Sequence, residues 1–225
     1  MDTSFLAKTN LFRGISAEEI DSMLTCLQAV KKSYAKNDVI YHAGSIVSSL
    51  GIVLSGSVFI ENDDFWGNKN VLDLIAPGEV FAEAYASVPG EPLMFRVVAY
   101  EATEILFLNV HKLLQVCPNS CAHHNKLIQN LLSISAQKNL SLSRRSLHTA
   151  PKSIRGRLLS YLSFQAIRHG TRDFVIPFNR QQLADYLNVD RSALSNELSK
   201  MQKEGLLKVE KNHFHLLADE IEMYV

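Results

Sequence analysis

Cysteine, tryptophan, proline and glycine are scarce in this 225-residue chain, which has three, one, six and ten of them. Cys26, Cys117 and Cys121 are odd in number and show no paired spacing, so we expect no disulfide framework and a reducing, cytoplasmic location. No run of about eighteen apolar residues is present, so we expect no membrane span. The N-terminus has neither the basic segment nor the apolar core of a signal peptide. The length and the 47% hydrophobic content suit two small packed domains.

Charge is unevenly distributed along the chain, although the net charge is zero. Residues 138–211 hold fourteen Lys/Arg and six Asp/Glu, a net charge of +8. Residues 1–137 hold nine and fourteen, a net charge of −5, and residues 212–225 carry −3. A basic segment joined to an acidic one is typical of a DNA-binding domain attached to a module with a different task.

Residues 179–205 are the most informative stretch, and their pattern predicts a helix-turn-helix. Asn179 is a good N-cap, and Gln182 three residues later completes a capping box. Asp190 is the N-cap of the second helix, and Gly205 ends that helix. An ordinary helical hairpin with a solvated face is the alternative, but caps, turn and apolar spacing all agree on the helix-turn-helix.

The second helix of this pair has an apolar stripe and a polar face. Leu194, Leu198 and Met201 follow the i, i+4, i+7 spacing of a buried stripe. A short, polar, mildly basic face suits a helix lying in a major groove. That face carries Arg191, Ser192, Ser195, Asn196, Ser199 and Lys200. Residues 206–217 then predict a small hairpin, so the domain has the pattern of a winged helix.

The front half of the chain has the pattern of β structure. Short apolar segments that alternate with glycine and polar turns predict strands near 39–41, 50–54, 58–60, 71–75, 97–100 and 104–108. Short strands at regular spacing favour a β-roll or jelly-roll. A small amphipathic helix is predicted before them, at 17–30.

A long helix is predicted between the two halves, from about Ser120 to His148, because this stretch contains neither glycine nor proline. Its apolar stripe is too broad for one solvated face, so we expect it to cover the roll and to meet a second copy of the chain. Packing only within its own subunit is the alternative. Residues 149–151 end the helix as a hinge, and 153–167 predict the first helix of the C-terminal domain.

This order of parts resembles the Crp/Fnr family of bacterial transcription regulators, the cyclic-AMP receptor protein and fumarate-nitrate regulator type. The resemblance covers nearly the whole chain and rests on Gly44 and on residues 56–58, 77–83, 180–187 and 191–195. It implies an α+β fold with an N-terminal β-roll or jelly-roll sensor of the cyclic-nucleotide-binding type, a long dimerisation helix and a C-terminal winged helix-turn-helix. The expected boundaries are 1–118 for the sensor, 119–150 for the long helix and hinge, and 151–225 for the DNA-binding domain.

The resemblance also implies which residues contact DNA. Arg180 and Gln181 are expected to contact the phosphate backbone, and Arg191, Ser192 and Asn196 to read bases. Arg suits the O6/N7 edge of guanine, and Asn suits the N6/N7 edge of adenine. The rest of the expected contact set, which includes sequence-blind phosphate contacts, is Ser195, Lys200, Lys152, Arg155, Arg157 and Lys208.

The sensor departs from the cyclic-nucleotide binders of the family. Those proteins have an Arg-Ser or Arg-Thr pair that neutralises the cyclic phosphate, and the matching pair here is Leu93-Met94. A phosphate beside these apolar side chains and Glu83 is costly without a cation, and Arg96 compensates only if the loop is shifted. We therefore expect an effector other than cyclic AMP. Its expected pocket comprises Leu72, Phe81, Leu93 and Met94, with Asp73 and Glu83 as polar anchors.

The alternative for the sensor is that Leu93 and Met94 fill core space and that no effector binds there.

No cofactor or metal residue is assigned. The iron–sulfur members carry an N-terminal cysteine cluster, and this chain has no cysteine before Cys26. Cys117-Pro118 is a weak haem-type signal, for which the candidate axial ligands are His42, His111, His123 and His124. His213 and His215 fall in the wing rather than on a barrel strand, where we expect them to face solvent or DNA.

The sequence thus predicts a homodimeric regulator that binds a palindromic operator in double-stranded DNA, responds to a small-molecule effector and contacts RNA polymerase. No Ser-His-Asp set, phosphate-binding glycine loop or placed carboxylate pair supports an enzyme, and no catalytic residue is assigned. Two alternatives stay open. One is a haem- or metal-dependent jelly-roll sensor or enzyme fused to a DNA-binding domain, and the other is a regulator whose sensor has lost its ligand.

Overall fold

The computed structural model describes residues 2–63, 69–115 and 122–217. The chain forms two compact units, Met1–Gln137 and Lys138–Val225. The division falls inside a long helix, which contributes its first turns to one unit and its last turns to the other. None of the helices in the described ranges is long and apolar enough to cross a membrane.

The first unit contains two short N-terminal helices, a set of short strands and the start of the long helix. The N-terminal helices are α1 (Thr3–Leu6) and α2 (Ala17–Cys26). The strands are β1 (Val30–Tyr34), β2 (Val39–Tyr41), β3 (Ser49–Ser55), β4 (Val58–Asp63), β5 (Lys69–Ile75), β6 (Val80–Phe81), β7 (Arg96–Ala99) and β8 (Thr103–Asn109). The remaining helices are α3 (Glu83–Ser87), α4 (Val110–Leu114) and the long α5 (Ala122–Thr149).

The strands form two antiparallel four-stranded sheets, in the orders β1-β8-β3-β6 and β2-β7-β4-β5. Successive side chains of a strand point to opposite faces. Val53 and Ile105 therefore face the core shared with the second sheet, whereas Ile52 and Leu106 face a second core beneath α1, α2 and α5. Burial on both faces explains why β3 and β8 appear in the sequence as nearly continuous apolar runs.

Gly51 allows β3 and β6 to approach closely. A Cβ atom at this position would lie 2.2 Å from the ring of Phe81, which is fully buried. The absence of a side chain at Gly51 thus fixes where Phe81, one of the expected pocket residues, enters the core.

The second unit contains the last turns of α5, followed by α6 (Ile154–His169), β9 (Asp173–Val175), α7 (Arg180–Leu187), α8 (Arg191–Lys203), β10 (Leu207–Glu210) and β11 (His213–Leu216). Its sheet has the order β10-β11-β9 and is antiparallel. Leu183, Leu194, Leu198 and Met201 are buried in one core with Tyr161 of α6. The predicted α+β architecture with a winged helix-turn-helix is confirmed.

The long helix α5 ends at Thr149, close to the predicted end, and begins at Ala122, while Ser120 lies outside the described residues. Leu127 and Leu131 are buried in the first unit. The leucines further along the helix are exposed, and they are Leu132, Leu140, Leu142 and Leu147. The stripe of α5 therefore includes apolar side chains that nothing in the described subunit covers.

Candidate nucleic-acid interface and sensor pocket

Side-chain caps hold both helices of the helix-turn-helix at the predicted positions. Oδ1 of Asn179 accepts a hydrogen bond from the Gln182 amide, and Oε1 of Gln182 accepts one from the Asn179 amide, both at 2.9 Å. Asn188 adopts the left-handed conformation, with φ of 52°, and ends α7. Oδ1 of Asp190 accepts from the Ala193 amide at 2.9 Å, so α8 begins at Arg191. The capping box and the second N-cap are confirmed.

The polar face of α8 lies in solvent. Arg191, Ser192, Asn196 and Lys200 are exposed, and Ser195 is half-buried. The hydroxyl of Ser195 donates to the carbonyl of Arg191 at 2.9 Å. Because the opposite stripe of α8 is buried in the core, the structure keeps this face available for a ligand.

The first turn of α7 holds the two expected phosphate-contacting residues. The Arg180 guanidinium lies 5.7 Å from the centre of the Phe214 ring, and burial lowers its pKa. Nε2 of Gln181 donates to Oδ1 of Asp185 at 2.8 Å, and Gln181 is exposed. Both side chains lie at the N-terminal end of α7, and the Arg180 guanidinium packs on the Phe214 ring.

Two arginines expected to contact phosphate are engaged within the protein. Nε of Arg155 donates to Glu197 at 2.6 Å, and its two terminal nitrogens donate to Glu204 at 2.8 Å. These hydrogen bonds, to Glu204 first and then to Glu197, raise the pKa of the Arg155 guanidinium. Arg157 donates to the carbonyls of Pro151, Leu187 and Asn188 at 2.8–3.1 Å. Both guanidinium groups are thus engaged within the protein, whereas Lys152 and Lys208 are exposed.

The sequence analysis missed Arg145 and the partner of the wing histidines. Arg145 donates to the carbonyls of Asp185 and Tyr186 at 2.9 and 3.0 Å, and so binds the end of α7 to α5. His213 and His215 are exposed on β11, as expected, and both contact the carboxylate of Asp173 on β9. Hydrogen bonds from the two imidazoles lower the pKa of Asp173. These partners are distant in sequence, and no local pattern reveals them.

In the sensor, Leu93 and Met94 lie in different environments. The Leu93 amide donates to the carbonyl of Ser45 at 3.0 Å, and the Leu93 carbonyl accepts from the Gly44 amide at 2.7 Å. The chain bends at Met94 and Phe95, immediately after this pairing. Leu93 is buried in the core with Phe81, whereas Met94 is 74% exposed. Contrary to expectation, Met94 does not share the interior with Leu93.

The other expected pocket residues are also dispersed. Leu72 is 52% exposed on β5, the edge strand of its sheet, and lies at the register shift between Ile60 and Glu61 of β4. Oδ1 of Asp73 accepts from the Leu74 amide at 2.9 Å. Glu83 is buried at the start of α3. Of the six residues, Phe81, Glu83 and Leu93 are buried, whereas Leu72, Asp73 and Met94 are exposed.

Arg96 faces away from that core. Its neighbours Val97 and Ala99 point inward, and the guanidinium lies on the opposite face of β7. Nε of Arg96 donates to Oε1 of Glu61 at 2.7 Å, directly across the β4–β7 pairing. Strand alternation thus places Arg96 on the outer face, as expected. Residues 89–96 contain no other Lys or Arg that could replace the phosphate-binding Arg-Ser or Arg-Thr pair.

The described ranges contain no group of three His, Cys, Asp or Glu residues placed to hold a metal ion. Cys117 and Pro118, the haem-type pair, lie outside those ranges. Nε2 of His124 is buried and lies 2.8 Å from the carbonyl of Leu113. Nδ1 of His123 lies 3.2 Å from Glu19.

Comparison with known proteins places these two sites in a family. A model described as the cyclic nucleotide-binding domain matches residues 31–120, and one described as the Crp-like helix-turn-helix domain matches 156–220. The chain is 26% identical over 199 residues to the cyclic AMP receptor protein of Thermus thermophilus, covering 88% of each chain. It is 23% identical over 217 residues to electron transport regulator A of Shewanella oneidensis, covering 93% of this chain and 82% of that protein.

Solved structures show the same fold. The catabolite activator protein of Thermus thermophilus matches with a TM-score of 0.51 and 22% identity, over 96% of this chain and 99% of that one. CprK complexed with OCPA matches with a TM-score of 0.62 and 14% identity, over 91% and 93%. Two family models that together match more than half of the chain, in the order of sensor and then helix-turn-helix, show that this protein belongs to the Crp/Fnr family of DNA-binding transcription regulators.

Proposed function

We propose that the protein is an effector-responsive homodimer that binds a palindromic operator in double-stranded DNA. The observation that carries this proposal is the exposed face of α8, where Arg191, Ser192 and Asn196 project from a helix whose opposite side is buried. Arginine and asparagine side chains on such a helix match the edges of guanine and adenine in the major groove. We further propose that the protein acts in the cytoplasm without catalysis or a bound cofactor, through contact with RNA polymerase.

The homodimer is supported by the exposed leucines of α5. Leu132, Leu140, Leu142 and Leu147 are each at least half exposed. Leu132, Leu140 and Leu147 lie within about 80° of one another around the helix axis, and exposed apolar side chains that share a helix face mark interaction surfaces. A second copy of α5 offers a matching apolar surface, because a two-fold interface uses the same patch on both subunits. Two recognition helices related in this way meet half-sites about one helical turn apart.

The test of this proposal is selection of binding sites from random DNA, combined with native mass spectrometry of the complex. We expect a palindromic site occupied by two chains per duplex. A Leu140→Asp variant should lower operator affinity by weakening the dimer, whereas a Lys138→Asp variant, on the opposite face of the same helix, should not. A non-palindromic consensus, or one chain per site, would contradict the proposal.

The proposed effector is not a cyclic nucleotide, although one relative is named as a cyclic AMP receptor. An anionic phosphate needs charge-assisted hydrogen bonds, which are roughly twice as strong as neutral ones. At the matching positions this chain has a buried Leu93 and an exposed Met94, and Arg96 pairs with Glu61 on the outer face. We therefore propose a neutral or weakly acidic effector with an apolar body, which needs no cation to bind it.

Calorimetry with cyclic AMP and cyclic GMP tests this part of the proposal. We expect no heat of binding at micromolar concentrations and no gain in operator affinity. Micromolar binding that disappears in an Arg96→Gln variant would contradict the proposal and place Arg96 in the ligand site. Equal operator affinity with and without extract of the host cells would favour a regulator whose sensor has lost its ligand.

A further inference from the structure

The three-stranded sheet of the second unit buries one face and exposes the other. Phe174, Phe214 and Leu216 are buried in the core with the helices. Residues directly opposite one another on antiparallel strands place their side chains on the same face of the sheet. The register therefore brings six exposed residues together on the outer side, and they form the wing face: Asp173 and Val175 of β9, Lys208 and Glu210 of β10, and His213 and His215 of β11.

The two histidines of the wing face share one carboxylate. His213 contacts Oδ1 of Asp173 through Nε2, and Nδ1 of His215 lies 3.1 Å from Oδ2 of the same residue. Hydrogen bonds from His213, and then from His215, lower the pKa of Asp173, so this carboxylate stays ionised near neutral pH. An ionised carboxylate beside an imidazole stabilises the positive charge that the ring gains on protonation. The wing face thus holds two proton acceptors that are fixed in position and about half exposed.

The charge of the wing face changes sign when these two rings are protonated. Histidine is the side chain whose charge ordinarily changes between about pH 5 and 8. With both imidazoles neutral, the face has one cation, Lys208, and the two carboxylates of Asp173 and Glu210, so its net charge is −1. With both imidazoles protonated, its net charge is +1. The charged residues at its margin are Arg172, which precedes β9, and Lys211, in the turn between β10 and β11.

The wing face belongs to a strand that contacts the start of α7, where the expected phosphate contacts lie. The Arg180 guanidinium packs on the Phe214 ring, and Phe214 stands between His213 and His215 in β11. We propose that the wing face contacts the phosphate backbone through protonated His213 and His215, so that operator binding takes up protons and strengthens as the pH falls. This inference rests on the proposed DNA binding and adds a dependence on pH. Because phosphates favour the charged rings, the complex binds more protons than the free protein, and affinity rises with acidity.

Fluorescence anisotropy of the selected operator, titrated with the full-length protein at constant salt, tests the proposal. The affinity should be roughly tenfold higher at about pH 6 than at about pH 8. The salt dependence should also be steeper at the lower pH, because more cations then displace counterions from the DNA. Equal affinity at both pH values would overturn the proposal and leave the proposed function standing. Failure to bind any duplex at either pH would overturn both.

Variants then assign the proton uptake to the wing face. The double variant His213→Gln with His215→Gln keeps hydrogen-bonding side chains beside Asp173 but cannot take up a proton. It should show at most about a twofold difference in affinity between the two pH values. His42→Gln, at an exposed position of the sensor, is the control and should keep the full difference. An undiminished difference in the double variant would place the proton uptake on other residues and refute the proposal.

The electrostatic cause is tested without replacing a histidine. Asp173→Asn removes one negative charge from the wing face and should raise operator affinity at about pH 8 by about threefold. Asp21→Asn, at an exposed position of α2, is the matched control and should leave the affinity unchanged. Circular dichroism verifies that each variant is folded. Unchanged or lower affinity of folded Asp173→Asn would show that DNA does not approach the wing face and would overturn the proposal even if the double variant unfolds.

Discussion

The two units differ in how they place the residues that the sequence singles out. In the DNA-binding unit, Arg191, Ser192 and Asn196 stand exposed on one side of α8, as helical spacing requires. In the sensor, Leu93 and Met94 are neighbours in sequence, yet one is in the core and the other in solvent. The face of a helix is set by local spacing. A pocket between strands depends on pairing and register, which the sequence does not display.

The largest expected effect concerns the buried member of the Leu93–Met94 pair. Leu93→Arg places an unpaired charge in the sensor core, so the free energy of unfolding should fall by roughly 3–5 kcal/mol. Met94→Arg, at an exposed position, should change it by less than about 0.5 kcal/mol. Urea unfolding followed by circular dichroism measures both variants. Equal losses in the two would show that Met94 is also buried in the protein in solution.

In the DNA-binding unit, Arg191→Ala should lower operator affinity without altering the free energy of unfolding. The loss of one bidentate base contact is expected to cost about 1–3 kcal/mol and to relax specificity at one base position. Binding to the selected operator and to its single-base variants gives the measurement. Retention of full specificity would mean that Arg191 does not read a base.

A pH-dependent contribution to stability is expected from His148, which is buried against Tyr161, Phe164 and Tyr186. Burial, and then the charge of Arg144, lower the pKa of His148 below its usual range. The folded state therefore favours the neutral ring. Its contribution is complete above the ordinary histidine pKa of about 6.5 and is lost as the pH falls from there through the folded-state value.

The measurement is the urea midpoint at neutral and at mildly acidic pH. The midpoint should fall less steeply with pH in His148→Gln than in the parent protein. His42→Gln, at an exposed position of the sensor, serves as the control and should keep the parent's pH dependence. Identical pH dependence in the parent and in His148→Gln would contradict the assignment.

The smallest expected effect is on the salt dependence of DNA binding. It distinguishes a basic side chain held by carboxylates of the protein from one exposed to solvent. Arg155 is held by Glu197 and Glu204, so Arg155→Gln should lower the thermal midpoint while leaving the salt dependence of DNA binding unchanged. Lys208 is exposed on β10, and Lys208→Gln should reduce the salt slope of DNA binding by about 1. A reduced slope in Arg155→Gln would show that this side chain leaves its carboxylates to contact phosphate.

Elements with strong local patterns were predictable from sequence. The capping box at Asn179, the N-cap at Asp190 and the stop at Gly205 each lie within a few residues of the helix that they define, and the structure has all three. The strand β1 was missed because its Lys31, Lys32 and Ser33 show no apolar alternation. The strand β6 was missed because it has two residues.

Side-chain partnerships were less predictable than the elements. Arg155 and Arg157 are arginines of the kind that contact phosphate, but all of their partners except Pro151 lie about 30 to 50 positions further along the chain. Whether a surface arginine meets a carboxylate, a carbonyl or solvent is decided by how helices pack. The exposure of Leu72 has a related cause, since Leu72 lies at a register shift that no local sequence pattern indicates.

The hydrogen bonds of Arg145 and Arg157 have a mechanical consequence. Together they bind five carbonyls, so that the end of α5, the chain at Pro151 and the turn after α7 are tied to one another. Without these hydrogen bonds, a rotation of α5 would be taken up by backbone rotations at residues 149–151. With them, we expect a displacement of the last turns of α5 to carry α7 and the turn before α8 along with it.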